Sequence, residues 1–187
     1  MARVAIVTGG ASEIGAAVAL RLAQCGMGVA LLDENACTDT AHRITELGMR
    51  SAAIGADVTD ATSVDAALAE VCSTLGDPEV LVNVVGDALP EPDWYASTAS
   101  RLRAVFLLSR AVVDPMIKNG GGRIITVAEC SNATIWAGLS GFTRTIALEL
   151  SPFGITSNVI DPAHVAGALP FLVGAEASTV TGQVVSV

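Results

Sequence analysis

The sequence is poor in basic charge. Its 187 residues carry ten lysine and arginine side chains against nineteen carboxylates, for a net charge of −9. Nucleic-acid binding relies on clustered Lys and Arg, so we expect no nucleic-acid partner. Charged residues make up 16% and apolar residues 51%, a balance that excludes disorder and coiled coil. The apolar runs are strand-sized, far below the roughly 20 residues that cross a bilayer, and we expect a soluble, globular protein without a membrane partner.

Side chains suited to acid–base or metal chemistry are also scarce. Lys118 is the only lysine, Tyr95 the only tyrosine, and His42 and His164 are the only histidines. A mechanism that needs a Lys–Tyr pair, a histidine triad or a histidine-rich metal site would have to use these positions. We therefore expect no metal site.

The four cysteines, at positions 25, 37, 72 and 130, form no C-x-x-C pair. Residues 1–3 run directly into an apolar segment without a signal-peptide pattern. These observations favour buried thiols, because free cysteine usually behaves as a small core residue. They also favour a reducing, cytoplasmic compartment.

What the chain does contain is an alternation of short apolar runs with helical patterns. The runs predict seven strands, at residues 4–7, 28–33, 51–54, 80–82, 123–127, 155–160 and 183–187. The longest of the intervening helices are expected at residues 94–118 and 132–150, and a shorter one at 38–47. Strands that are apolar on both faces and alternate with helices are typical of a parallel sheet covered on both sides. We predict a single doubly wound, Rossmann-like α/β domain over residues 1–187.

A glycine turn follows the first strand and opens a helix. Gly9 and Gly15 lie where backbone N–H groups at a helix N-terminus can bind a pyrophosphate. Asp33 ends the second strand, where its carboxylate can accept hydrogen bonds from the ribose of NAD and would repel the extra phosphate of NADP. The pattern favours NAD over NADP. A tight strand-to-helix connection, with Asp33 as a helix cap, explains the same residues and stays open.

Segments along nearly the whole chain resemble the short-chain dehydrogenase/reductase family. Thr8 to Gly15 is similar to the family's T-G-x-x-x-G-x-G turn, and residues 83–86 are similar to its N-N-A-G segment. Residues 122–125, 154–162 and 181–183 resemble its last three strands, and the likeness is close to the 3-oxoacyl reductase branch. The resemblance implies cofactor contacts at Gly9, Ile14, Gly15, Asp33, Asp57, Val58, Asn83 and Gly86.

The catalytic residues of that family are not in their places. The family uses a Tyr acid/base, a Lys four residues later, a Ser and an Asn, whereas Ala99 stands four residues after the single Tyr95. Alignment on residues 137–142 places other side chains at the Asn, Ser, Tyr and Lys positions. In that order they are Arg101, Glu129, Asn132 and Trp136. We therefore expect no catalytic tetrad.

The connections around the expected active site are short as well. They are residues 87–93, residues 130–131 and residues 163–167, where the resemblance implies a longer active-site loop and a substrate lid. Glu13 occupies the middle glycine position of the turn, where it either adds a negative charge beside a pyrophosphate or points into solvent. Arg101 and Glu129 either polarise a substrate or pair with each other and close the crevice, and we favour the pair. Trp136 is expected to fill space left by the missing loop.

We expect this chain to be a non-catalytic structural subunit. Its partner would be a catalytic paralogue of the family in a hetero-oligomer that acts on a hydroxyacyl or ketoacyl substrate, including CoA thioesters. The partner could also be a second copy of this chain. Two alternative functions stay open. One is a lyase or isomerase that uses Glu129 as base and Arg101 as oxyanion partner. The other is a sensor that binds NAD through Asp33 and Asp57 without turnover.

Overall fold

A computed structural model of the chain describes residues 2–86, 94–129 and 132–185. Within these ranges the chain forms seven strands: β1 (Val4–Thr8), β2 (Gly28–Asp33), β3 (Ser51–Gly55), β4 (Val80–Val85), β5 (Gly122–Ala128), β6 (Ile155–Ile160) and β7 (Val184–Val185). It also forms six α-helices: α1 (Glu13–Gln24), α2 (Thr38–Glu46), α3 (Ala61–Thr74), α4 (Trp94–Lys118), α5 (Ala133–Leu150) and α6 (Val165–Val173). Short 3-10 turns, Ser151–Phe153 and Pro162–His164, precede β6 and α6.

The seven strands form one parallel sheet in the order β3-β2-β1-β4-β5-β6-β7. β1 lies near the middle, where Ala5 pairs with Val29 of β2 on one side and with Val80 of β4 on the other. Every residue of β1 and β6 is buried, as expected of strands covered on both faces. The predicted doubly wound, Rossmann-like fold is confirmed.

Helices cover both faces of the sheet. One apolar cluster joins α1, α2 and α6 to the sheet through residues such as Leu22, Ile44 and Leu169. A second joins α3 and α4 to the other face through residues such as Val71 and Val112. A third, smaller cluster lies between α4, α5 and the carboxyl ends of β4 to β6. No helix in the described ranges is long and apolar enough to cross a membrane.

Most of the predicted strands and helices agree with the observed ones to within one or two residues. The fourth strand was predicted over residues 80–82 and is longer, Val80–Val85, and a further difference lies at the end of the chain. The seventh strand was expected over residues 183–187, but β7 comprises Val184–Val185 in the described part of the chain, and the Gln183 carbonyl before it accepts from the Val159 N–H of β6. Gln183 precedes the strand, and its backbone N–H donates to Asn158 Oδ1. Residues 186–187 lie outside the described residues.

The expectation that the thiols are buried is only partly correct. Cys37 is buried, and burial, together with the nearby charge of Asp33, raises the pKa of its thiol. Cys72 is half-buried, whereas Cys25 is exposed, contrary to the prediction. Cys25 directly follows α1 and precedes Gly26, which has a φ of +83°, so it lies in the exposed turn between α1 and β2. Cys130 lies outside the described residues.

Candidate functional site

The carboxyl ends of β1, β2 and β4 border a cavity of 290 Å³, which we call the crevice. The strand order reverses here, because β2 and β3 lie on one side of β1 and the strands from β4 onward lie on its other side. Doubly wound proteins bind ligands where the strand order reverses in this way. Seven of the residues singled out by sequence line the crevice: Gly9, Asp33, Asp57, Val58, Asn83, Gly86 and Arg101. Ile14 and Gly15 lie in the first turn of α1, next to Gly9 in the glycine turn.

The glycine turn is a close contact between β1 and α1. Gly9 has a φ of +65°, and a Cβ on Gly15 would stand 2.0 Å from the carbonyl oxygen of Gly9. Ser12 caps the helix: its Oγ accepts a hydrogen bond from the Gly15 N–H at 2.9 Å and donates to the Gly9 carbonyl at 2.7 Å. The turn is thus the tight strand-to-helix connection that the sequence left open. This geometry also leaves the helix N-terminus facing the crevice side of the sheet.

The first two N–H groups of α1 are available to a ligand. Neither Glu13 nor Ile14 has a backbone acceptor for its N–H in the described part of the chain. Such groups at a helix N-terminus carry partial positive charge and bind anions. The Glu13 side chain is exposed, as in the interpretation that directs it into solvent. Its carboxylate nevertheless adds a negative charge at the same helix end.

Asp33 connects the glycine turn to the loop after β2. Its Oδ2 accepts from the Ala11 N–H at 3.1 Å, and its Oδ1 accepts from the backbone and side-chain nitrogens of Asn35 at 2.8 and 3.2 Å. It does not cap α2, which begins after Cys37 without a side-chain cap, so that interpretation is wrong. A carboxylate offers about four acceptor positions, which leaves one for a ligand hydroxyl.

Asp57 and Val58 form the wall of the crevice that follows β3. Asp57 Oδ1 accepts from Thr59 through its hydroxyl at 2.6 Å and its N–H at 2.8 Å. These hydrogen bonds, aided by the charge of Arg103, hold the pKa of Asp57 below its ordinary value. Asp57 is therefore an anion at neutral pH. Val58 is half-buried and packs against the apolar cluster under α3 and α4.

Asn83, in β4, brings a buried amide to the crevice. Asn83 is 1% exposed, yet neither its Oδ1 nor its Nδ2 has a hydrogen-bond partner among the described residues. Buried amides are hydrogen-bonded in the great majority of proteins, and exceptions need an explanation. Since Asn83 lines the crevice, a polar group entering from there would satisfy it.

Arg101 and Glu129 do not form the pair that the sequence favoured. The described residues contain three ion pairs, and none of them joins these two side chains. Arg101 is half-buried on α4 and lines the crevice, whereas Glu129 is exposed just after β5. The Glu129 carboxylate lies against Gly86, with Oε2 3.8 Å from where a Cβ on that glycine would stand. The two residues thus lie at the crevice and its rim, on neighbouring elements, without neutralising each other.

Asn132 and Trp136 have structural roles in the helix that follows. Asn132 caps α5, and its Oδ1 accepts from the N–H groups of Thr134 and Ile135 at 2.9 and 3.3 Å. Trp136 is half-buried against the apolar cluster between α4, α5 and the sheet. The sequence analysis missed the cap, although an Asn directly before an apolar helical pattern is a known start signal.

Two short connections expected from the sequence, at residues 87–93 and 130–131, lie outside the described residues. The third, after β6, is described: Pro162–His164 form a single 3-10 turn and α6 begins at once. Within the described ranges no group of three His, Cys, Asp or Glu side chains could hold a metal ion.

The residues at the crevice fit the adenosine half of a nicotinamide dinucleotide. Asp33 lies at the end of β2, where such a carboxylate binds ribose hydroxyls, and the free N–H groups of α1 suit a pyrophosphate. The unpartnered amide of Asn83 faces the same space. The cavity is at the lower end of the roughly 300–1,000 Å³ of ligand pockets, in agreement with a fit to part of the dinucleotide.

Comparison with known proteins places these features in one family. Residues 3–170 match the family model described as short chain dehydrogenase. The chain is 39% identical over 184 residues to the short-chain dehydrogenase/reductase family member NovK of Streptomyces niveus, a match that covers 87% of this chain and 75% of NovK. It is 30% identical over 181 residues to the 3-oxoacyl-[acyl-carrier-protein] reductase FabG of Escherichia coli strain K12, covering 87% and 73%.

A further relative is named as a subunit. It is the (2S)-[(R)-hydroxy(phenyl)methyl]succinyl-CoA dehydrogenase subunit BbsD of Thauera aromatica, 31% identical over 178 residues, with 86% of this chain and 72% of BbsD covered. Among solved structures, a hydroxysteroid dehydrogenase from Escherichia coli superposes with a TM-score of 0.88 at 28% identity, covering 99% of this chain and 93% of the other. With its parallel sheet, glycine turn and crevice, the chain belongs to the short-chain dehydrogenase family.

Proposed function

We propose that this chain is a non-catalytic subunit that pairs with a catalytic short-chain dehydrogenase. The partner would carry out NAD-dependent oxidation or reduction of a hydroxyacyl or ketoacyl substrate, with CoA thioesters among the substrate forms. The relative BbsD is named as a subunit of a dehydrogenase that acts on a CoA ester, which supports a subunit role and a CoA thioester as the substrate form.

The observation that carries the proposal is the separation of the only tyrosine from the only lysine. Tyr95 lies in the first turn of α4 and Lys118 is its last residue, so about 35 Å of helix separates them at 1.5 Å per residue. Lys118 donates to Asp77 at 2.6 Å on the far side of the molecule from the crevice. A Tyr–Lys acid/base dyad cannot be assembled from these residues, which supports the loss of the family's chemistry.

The side chains at the aligned catalytic positions support the same conclusion. The amide of Asn132 is used to cap α5, and the indole of Trp136 is packed in an apolar cluster. An amide does not relay a proton at neutral pH, and indole is a donor only. The absence of a lid between β6 and α6 also favours a site that does not exclude water. In addition, the alignment to NovK is 184 positions long, which exceeds the number of residues in the 87% of this chain that it covers. This difference is expected if NovK has longer loops.

The outer face of α4 and α5 is the surface we assign to the partner. Phe106 of α4 is 49% exposed and makes an edge-to-face contact with Phe142 of α5, at 6.2 Å between ring centroids. Beside them is an apolar groove of 180 Å³, and Leu148 on α5 is 81% exposed. Arg110 and Glu149 also border the groove and do not pair with each other in the described part of the chain. A partner of the same fold offers the helical, apolar face that would cover this surface.

Co-purification from native cells tests the proposal. The intact complex should have a fixed stoichiometry by native mass spectrometry, contain a short-chain dehydrogenase with a Tyr-x-x-x-Lys motif, and carry NAD-dependent activity in the same fraction. Phe106→Glu should dissociate the complex, because it places a charge in the apolar face. Phe171→Glu, at a phenylalanine of α6 with 48% exposure, is the matched control and should leave it intact.

Two results would overturn the proposal. One is a purified chain that is a lone homo-oligomer with no dehydrogenase bound. The other is dehydrogenase turnover by the purified chain alone. Either result would favour the alternatives, which are NAD binding without turnover and lyase or isomerase chemistry.

The unpartnered Asn83 favours a second role for the crevice, the binding of a nicotinamide dinucleotide without turnover. Bound cofactor would supply a hydride donor or acceptor, and the residues of this chain would hold its adenosine half through Asp33, Asn83 and the N-terminus of α1. Titration calorimetry with NAD should give saturable binding that Asp33→Ala weakens. Binding that Asp33→Ala and Asn83→Ala both leave unchanged would place the ligand elsewhere.

Arg101 and Glu129 form no ion pair in the described part of the chain, and this keeps the lyase or isomerase alternative testable, since a tight pair would have argued against it. That alternative requires turnover by the purified chain, and Arg101→Ala and Glu129→Gln must each abolish it. A chain without turnover on hydroxyacyl-CoA and enoyl-CoA substrates would exclude such chemistry on those substrates.

A further inference from the structure

A cavity of 470 Å³ lies at the amino ends of the strands, at the opposite end of the sheet from the crevice, and we call it the basal cavity. Its wall contains Arg3, which precedes β1, Glu79, which precedes β4, and Arg123 in β5. These three strands are neighbours in the sheet, so the three side chains enter the cavity from adjacent positions. Asn119 and Ser178 contribute an amide and a hydroxyl.

Arg3 has its charge matched within the chain. Its Nε donates to Glu79 Oε2 at 3.0 Å, and its Nη1 donates to the Val173 carbonyl at 2.6 Å. The described part of the chain offers no acceptor to its other terminal nitrogen, Nη2. Arg3 therefore keeps donors free while its charge is neutralised by Glu79.

Arg123 has no such carboxylate. Its Nη1 donates to the carbonyls of Gly122 at 2.9 Å and Gly154 at 3.4 Å, and its Nη2 donates to the Gly174 carbonyl at 3.4 Å. Its Nε is buried without an acceptor, and no ion pair involves Arg123 among the described residues. Burial, and then the positive charge of Arg3, lower the pKa of Arg123.

The side chains that line the basal cavity carry two positive charges and one negative charge, in a chain whose net charge is −9. The exposed carboxylate of Glu176 lies beside Gly174 at the edge of the cavity, but it forms no ion pair with Arg123 among the described residues. A guanidinium stays protonated in proteins, so Arg123 cannot remove this charge by releasing a proton. Arg123 is half-buried and its Nε is shielded from water without an acceptor, so a counter-charge would offset part of the cost of removing water from the guanidinium. The imbalance points to an occupant of opposite sign.

We propose that the basal cavity binds an oxyanion, the phosphate or carboxylate group of a small molecule, between the guanidinium groups of Arg123 and Arg3. The planar fork of donors on arginine suits both kinds of group. The five residues of β1 alone separate the two ends of the sheet by about 17 Å at 3.3 Å per residue. The occupant would therefore not compete with a nucleotide in the crevice, and the site goes beyond the proposed subunit function.

Nitrogen-15 NMR of the full chain tests the site. Inorganic phosphate and acetate are titrated in separate experiments, with chloride at the same ionic strength as the reference. Saturable shifts of the Gly120 and Gly121 amides are expected with phosphate, acetate or both, and the anion that acts identifies the group. The amide of Gly9 reports on the crevice. Shifts that saturate only at Gly9, or no saturable shift at Gly120 and Gly121, would overturn the proposal.

Matched variants separate binding from general charge effects. Arg123→Gln should weaken the apparent affinity at least roughly tenfold, the loss expected when a charged hydrogen-bond donor is removed. Arg43→Gln, at an exposed arginine of α2 outside the cavity, removes the same charge and should leave the affinity unchanged. If Arg123→Gln does not fold, Arg3→Gln serves instead, since it also leaves Glu79 unpaired to repel an anion. An unchanged affinity in a folded Arg123→Gln or Arg3→Gln variant would refute the site.

Discussion

Replacing Gly15 by alanine should destabilise the chain, although alanine is the better helix former. The new Cβ would stand 2.0 Å from the Gly9 carbonyl oxygen and 2.7 Å from its carbon, which are backbone atoms that cannot rotate away. Overpacking of this kind costs about 1–3 kcal/mol, and a backbone clash belongs at the upper end. The gain in helix propensity is at most about 1 kcal/mol. We therefore expect a net loss of about 2 kcal/mol, or about 4–8 °C in Tm for a chain of this size.

Urea unfolding followed by circular dichroism gives the free energy of unfolding for this comparison. Gly167→Ala is the matched control, since Gly167 lies in α6 with nothing within 4 Å of the position of a Cβ. The control should gain about 0.5–1 kcal/mol from helix propensity alone. A Gly15→Ala variant as stable as the parent chain would refute the close contact between β1 and α1 on which the crevice depends.

Three further changes test other parts of the structure by the same unfolding assay. Asn132→Ala should cost about 1 kcal/mol through loss of the α5 cap, whereas Asn132→Asp should cost little; equal losses would argue against capping. Leu139→Ala should cost about 2–5 kcal/mol, because Leu139 is fully buried in the cluster beside the crevice; a loss below about 1 kcal/mol would contradict that packing. The hydrogen bond from Lys118 lowers the pKa of Asp77, so this pair stabilises the fold above the ordinary Asp pKa and the contribution is lost as the pH falls through the lowered value. Lys118→Met should therefore flatten part of the acid-side decline in stability, and an unchanged pH profile would count against the pair.

The order of strands and helices was predictable because buried parallel strands and amphipathic helices leave different apolar periods in the sequence. The turn around Gly9 and Gly15 was predictable for a related reason: only glycine tolerates both the left-handed φ and the close approach. The lining of the crevice followed from the topology, since the carboxyl ends of parallel strands meet at one edge of the sheet.

The partners of individual side chains were not predictable to the same degree. Asp33 was predicted to be a ribose ligand or a helix cap. It does not cap α2, and its hydrogen bonds to the N–H groups of Ala11 and Asn35 were not predicted. Arg101 and Glu129 were expected to pair, but no ion pair joins them in the described part of the chain. Such contacts depend on distances of a few ångströms between separate elements, which periodicity does not encode.

The position of β1 in the middle of the sheet has a consequence for the order in which the protein folds. β1 pairs with β2 after a short crossover, but its other neighbour, β4, begins at Val80. At roughly 5–20 residues per second of synthesis, the second edge of β1 stays open for about 4–15 s after the first strand emerges. During that interval Ala5, Ile6 and Val7 present free backbone groups and apolar side chains to the cell. During this interval, chaperones that add a strand, or aggregation with another chain, compete with the native pairing of β1. The competition ends when β4 pairs with β1.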